Sequence, residues 1–295
     1  MGKVAVKQVQ TLDVHARSIV FLVGTAVLWS FGGLLIKMVS WNPIAIAGMR
    51  SAVAALLHLA IIRKPRFDWS CAQIGGALSY AATSILFVCA TQMTTSANAI
   101  LLQYTAPVYV MVLGMWFLKE RPTRVDWIAV GVILGGMLLF FLDDLAPGNL
   151  LGNIIAIICG ISFASTVLFM RFQKAGSPLE SVLLGNILTA VIGLPFMFQS
   201  SPDAKSWLGI VLLGILQLGL SYVLYASAIK HVTAIEGILI PVLEPILNPV
   251  WVALFLGEVP GKWAIIGGSV VVTAVTFRCI YTTLHPPVNW ESEEQ

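Results

Sequence analysis

The sequence predicts an all-α integral membrane protein, with ten transmembrane helices forming two five-helix repeats of inverted topology around a central cavity. Three observations predict this fold class. First, 58% of the 295 residues are apolar and 11% are charged, with a mean hydropathy of +0.90. A soluble chain carries about 25% charged residues, so this one lacks the polar surface to face water all round. Second, the apolar runs are continuous for about 20 residues, whereas a transmembrane barrel alternates over about ten. Third, the chain repeats itself.

The spans fall at 18–39, 43–62, 70–91, 96–118, 125–142, 150–170, 179–199, 206–229, 234–256 and 262–282, separated by short polar connections such as RKPRFDW, KERPTR, DDLAPGN and SSPDAK. Residues 1–17 form a polar, basic N-terminal segment and residues 283–295 a polar tail. The first apolar run lacks a small-residue cleavage site and reads as a retained span. If the N-terminus is cytoplasmic, 13 of the 17 Lys and Arg fall in inside segments and three (Lys37, Lys205, Lys262) in outside ones, with Arg50 inside a span. This bias places both termini of a multi-pass protein in the cytoplasm.

A shift of 138 residues lays LLQYTAPVYVMVLGMWFLKERP (101–122) on LIPVLEPILNPVWVALFLGEVP (239–260). Pro107 meets Pro245, Glu120 meets Glu258 and Pro122 meets Pro260. The repeats are therefore 18–143 and 149–282. Each has an odd number of spans, so the second copy lies upside down. Such repeats place a binding site near the bilayer midplane and supply two states of similar energy by exchanging roles.

Polar residues inside the spans mark the candidate cavity. In span 3, Tyr80, Thr83, Ser84 and Phe87 recur at helical spacing, and in span 8 so do Gln217, Ser221, Tyr222 and Tyr225. The same shift pairs Ser79 with Gln217, Thr83 with Ser221 and Ser84 with Tyr222, as two walls of one cavity. The alternative is that the hydroxyls join helices directly. Trp29 in span 1, Phe163 in span 6, and Gln103 and Tyr104 in span 4 complete the candidate lining. Trp29 has two open readings, cavity or lipid.

Glu244, Asn248 and Trp251 share one face of span 9. Glu244 lies too deep to reach water along the span, so it faces protein or cavity. Its open roles are binding a substrate ammonium, carrying a proton, or bonding a carbonyl freed by a neighbouring proline. Glu236 reads as a solvated helix-start acid. Arg50 either meets a substrate carboxylate or, on the favoured reading, satisfies helix-end carbonyls or an internal carboxylate. His58 reads as a packing or hydrogen-bonding residue. Pro107, Pro241, Pro245 and Pro249 are hinge candidates, because each interior proline deletes a helix hydrogen bond.

The paired endings FLKERP and FLGEVP, each followed by a Gly-rich span with Gly135 and Gly136 or Gly267 and Gly268, together with Arg50, carry a resemblance. The chain resembles the paired EamA-type units of the drug/metabolite transporter superfamily, and looks most like the YddG-type bacterial exporters of aromatic and other neutral amino acids. The resemblance implies a helical basket and efflux from cytoplasm to periplasm across a bacterial inner membrane; no cofactor is expected. In the first copy Lys119 stands where the second has Gly257.

Read from the residues, an aromatic-rich cavity with few charges suits a neutral or aromatic amino acid, and the bilayer is the other partner. A multidrug or other small-metabolite exporter of the same fold is the alternative. Nucleotide sugars would need several cations at the cavity. A net charge of +3 without a basic run gives no nucleic-acid surface. No GxxxxGK[ST] motif is present, so ATP is not the direct driver. GISFA only approximates a nucleophile elbow and lacks its strand–turn–helix setting, which argues against an enzyme. The four separated cysteines show no metal-ligand spacing. Nothing demands a partner subunit, so monomer is the default.

Overall fold

Polar connections start the helices by capping them. Asn42 caps α3 (Pro43–Ile62), Ser70 caps α4 (Cys71–Met93), Asn149 caps α8 (Leu150–Phe172) and Asp203 caps α10 (Ala204–Leu212). Each side-chain oxygen takes backbone N–H groups that the first turn leaves unbonded. Thr123 with Asp126 and Thr233 with Glu236 form reciprocal capping boxes at α7 (Arg124–Phe140) and α12 (Ala234–Leu239).

The chain is described by a computed structural model covering residues 2–94, 96–142, 149–256 and 261–284. Within these, the side chains of 2–13, 33, 34, 37, 96, 97, 248, 249, 252–256 and 283 fall outside the description. The expectations for Asn248, Pro249 and Glu258 therefore lie outside the described residues. The remaining helices are α1 (Gly2–Ser30), α2 (Gly32–Lys37), α5 (Ser96–Gln103), α6 (Ala106–Phe117), α9 (Pro178–Met197), α11 (Ser221–Ala228), α13 (Leu243–Leu256) and α14 (Lys262–Leu284). Among the described residues, seven helices are long and apolar enough to cross a membrane, and Val14–Ser30 is a shorter apolar one. α1 continues back to Gly2, so the basic N-terminal segment prolongs the first span as helix.

Four of the expected spans are interrupted. Span 1 breaks at Phe31, between α1 and α2. Span 4 breaks between α5 and α6 just before Pro107, which sits in the first turn of α6. Span 9 breaks at a 3-10 turn, Ile240–Val242, just before Pro245. A shift of 138 superposes these breaks, since Tyr104 falls on Val242. Span 8 carries a π-helical stretch, Leu213–Leu220, between α10 and α11. Such insertions loosen the regular ladder and collect at functional sites. His58 meets the carbonyl of Gly219 there at 2.9 Å.

The connections gather on two opposite faces. On one, Glu180 accepts from the Arg66 backbone N–H at 2.9 Å and Lys230 donates to the Gly176 carbonyl at 2.7 Å. His15, midway along α1, lies on this face, called here the N-terminal face. On the far face, the Ser40 N–H donates to Ser206 at 3.0 Å and the Trp41 indole to the Ser200 carbonyl at 2.9 Å. Between the faces α3 packs on α9, α7 on α14, α4 on α8 and α9, and α1 on α11 and α13. Gly48 and Gly193 make the α3–α9 contact possible: a Cβ on Gly193 would lie 2.6 Å from the Gly48 Cα. Two helices this close require bare backbone at the crossing.

Candidate functional site

A cavity of about 60 Å³, the space of a few water molecules, lies where α1, α3, α4, α8, the π-helical stretch and the two broken spans converge. Trp29, Tyr80, Thr83 and Ser84 line it, as do Gln103, Phe163, Gln217, Tyr222 and Glu244. The structure thus brings together nine of the residues singled out from the sequence. Trp29 turns inward, resolving its two readings: it is 6% exposed and its indole donates to the Ser221 hydroxyl at 2.9 Å. It stacks on Tyr225 at 5.6 Å and meets the edge of Phe163 at 5.8 Å. Tyr80 and Tyr222 meet edge to face at 4.8 Å, the arrangement that aromatic quadrupoles favour. The Tyr80 hydroxyl is anchored by Asn186 at 3.0 Å.

Three candidates stand elsewhere. The Ser79 hydroxyl donates back to the Gly75 carbonyl of its own helix, and that of Ser221 to Gln217. Mid-helix serines commonly make this bond; it leaves Ser79 off the cavity and Ser221 behind Trp29. Tyr104 stands behind Glu244 and links the two broken spans. Its hydroxyl lies 2.6 Å from Glu244 Oε2 and 3.1 Å from the Pro241 carbonyl. That carbonyl is the one Pro245 frees by lacking an N–H, and Tyr104, not Glu244, occupies it. A phenol has one proton for these two oxygens, so it donates fully to only one of them at a time. The carbonyl of Gln103, freed by Pro107, sits against Gly160, where a Cβ would lie 2.8 Å away.

Two cavity residues were undervalued from the sequence. Phe87 belonged to the stripe on span 3 and lines the cavity. Arg50 lines it as well, 2% exposed. It donates to Gln217 Oε1 at 2.9 Å, to the Ser84 carbonyl at 3.2 Å and to the Ser84 hydroxyl at 3.3 Å. Among the described residues no carboxylate lies within 4.0 Å of it; of the two internal partners expected for Arg50, the structure shows a backbone carbonyl, that of Ser84, and not a carboxylate. Gly32 leaves the space on α2 that the Gln217 amide fills while it holds Arg50.

Glu236 also departs from expectation. It is a helix-start acid but not a solvated one, being fully buried. Arg278 Nη1 stands 3.0 Å from it, close though not aligned as a hydrogen bond, and His15 Nε2 is at 3.3 Å. Arg278 also donates twice to Asp126, at 2.8 and 3.0 Å. These partners come from distant positions, which local sequence does not signal. Nearby, Glu120 accepts from Arg171 at 2.8 Å and from the Ala234 N–H at 2.9 Å.

Comparison with known proteins places this geometry in a lineage. The EamA-like transporter family model matches twice, over residues 16–142 and 150–278. An uncharacterized transporter of Bacillus subtilis, YdfC, is 26% identical over 85% of this chain and 87% of its own. The threonine/homoserine exporter RhtA of Salmonella typhimurium is 26% identical over 72% of this chain and 74% of its own. The pseudopaline exporter CntI of Pseudomonas aeruginosa is 24% identical over 60% of this chain and 64% of its own. One solved crystal structure shares the fold, with a TM-score of 0.75 at 16% identity, covering 88% of this chain and 96% of its own. The chain belongs to the EamA-like transporter family, as two consecutive EamA units in a multi-pass membrane protein that is a transporter and not an enzyme.

Proposed function

We propose that this transporter exports neutral amino acids, aromatic and small polar, from the cytoplasm to the periplasm by alternating access. One observation carries the reading: the cavity lies between the two EamA units and is walled by repeat-related stretches of α4 and span 8. Its lining is rings, hydroxyls and amides with one cation and one carboxyl group. This suits a small zwitterion with a neutral side chain and offers nothing for a polyanion. The threonine/homoserine exporter among the relatives supports the same substrate class. The pseudopaline exporter among the relatives supports other metabolites as the second reading.

On this proposal the ten helical segments all span the bilayer, the two units have inverted topology, and the N-terminal face is cytoplasmic, as the basic residues require. The helix pairings support a two-fold relation between the units, and the odd number of spans in each makes that relation an inversion. Exchanging the units converts α4 on α8 into span 8 on α1, and α4 on α9 into span 8 on α3, and both members of each exchange are present. The matched breaks before Pro107 and Pro245 act as hinges, with Pro241 inside the second. The working unit is a monomer in an inner membrane. Counterflow in liposomes loaded with unlabelled amino acid tests the substrate, using labelled threonine, phenylalanine and a cationic dye. Exchange of either amino acid is expected; exchange of the dye alone would show a drug exporter instead.

A further inference from the structure

The cavity contains a positive charge that the described protein does not neutralise. Arg50 makes all its hydrogen bonds to neutral acceptors on Gln217 and Ser84, and its Nε is buried without a partner. A guanidinium keeps its proton in any protein setting, so it cannot escape burial by becoming neutral. Buried charges are otherwise paired. The same chain pairs its other deeply buried arginine: Arg278 stands against both Asp126 and Glu236. The two arginines differ in place. Arg278 joins α14 to α7 and α12 at the N-terminal face, whereas Arg50 opens on the cavity.

We propose that Arg50 binds the carboxylate of the transported solute, which supplies the missing counter-charge. The inference rests on the amino acid reading above and deepens it, because it specifies which part of the substrate is recognised and by what. Glu244 faces the same cavity and is not ion-paired with Arg50, so the two poles remain available to one zwitterion, carboxylate at Arg50 and ammonium at Glu244. A monovalent carboxylate fits better than a phosphate. Gln217 Oε1 and the Ser84 carbonyl crowd the guanidinium with negative oxygen, and among the described residues the cavity lining has no second cation to balance a dianion. Solutes that keep the side chain and ammonium but lose the carboxylate are then poor substrates.

The test uses the full-length protein in liposomes and labelled L-threonine counterflow, at about pH 6.5 so that α-amines stay protonated. Unlabelled L-threonine amide is compared with free L-threonine as competitor against the unaltered protein. The amide is expected to compete at least about tenfold less well, the loss of one charge-assisted contact. Arg50→Gln is expected to lower threonine exchange by a similar factor, with Arg50→Lys between the two. Equal competition by amide and free amino acid would overturn the assignment while leaving the amino acid exporter standing. Failure of both threonine and phenylalanine to exchange at all would overturn the exporter reading, and this inference with it. The competition is read on the unaltered protein, so a variant that does not fold leaves the outcome decided.

Discussion

Span 4 and span 9 are counterparts in the two units, broken at the same place, yet their outer ends are held by different chemistry. Span 9 begins at the N-terminal face with Glu236 buried against Arg278 and His15, and Arg278 in turn holds Asp126. The residue matching Glu236 in span 4 is Asn98. Its amide donates to Thr94 at 3.4 Å, and the Thr94 hydroxyl donates to Asn153 at 2.7 Å. One end is a cluster of ionisable groups drawn from four helices; the other joins uncharged side chains of α4, α5 and α8. On the proposed inverted arrangement these two ends would be the two closures, and the described contacts suggest the hypothesis that they differ in strength. The hypothesis that follows is a resting state closed at the N-terminal face, with the cavity communicating with the far side.

The largest effect tests that inequality. Arg278→Leu strands two buried carboxylates and is expected to cost about 3–5 kcal/mol, seen as a large fall in Tm of the detergent-purified protein. Asn98→Ala at the matching place removes an uncharged contact and is expected to cost about 1 kcal/mol. Comparable losses from the two would erase the distinction. Next comes the link between the broken spans. Tyr104→Phe keeps the ring but leaves the Pro241 carbonyl unbonded, and a buried acceptor without a partner costs about 1–3 kcal/mol. Counterflow is expected to fall several-fold with an unchanged gel-filtration profile; normal flux would show that the two breaks move independently. The smallest effect is expected from Gly32→Ala. The added methyl displaces the Gln217 amide that supports Arg50, so the KM for threonine should rise about tenfold or less with little change in Tm. An unchanged KM would detach Gln217 from substrate binding.

Much of this arrangement is legible in the sequence, and the limits are physical. Hydropathy places the helices, and the 138-residue shift finds both cavity walls because repeat symmetry preserves which helix face is polar. The shift also locates the breaks, since Pro107 and Pro245 each remove one bond. It cannot tell a serine facing the cavity from one bonded to its own helix, so Ser79 and Ser221 share the pattern of Thr83 and Ser84 without lining the cavity. Nor can it register the partner of a buried charge. Glu236 looks solvated until positions 15 and 278 fold onto it, and the significance of Arg50 is a missing counter-ion, which only three dimensions disclose. The π-helical stretch at Leu213–Leu220 has no Pro or charge to announce it.

Sided labelling of a cavity cysteine tests the central claim of unequal closures most directly. With the four native cysteines replaced, Phe87→Cys places one thiol in the cavity wall, and a membrane-impermeant thiol reagent is applied to sealed vesicles of either orientation. Labelling is expected from the far face and not from the N-terminal face, and adding Glu236→Gln should admit the reagent from the N-terminal face. Equal labelling from both faces, or labelling mainly from the N-terminal face before Glu236 is changed, would contradict the account.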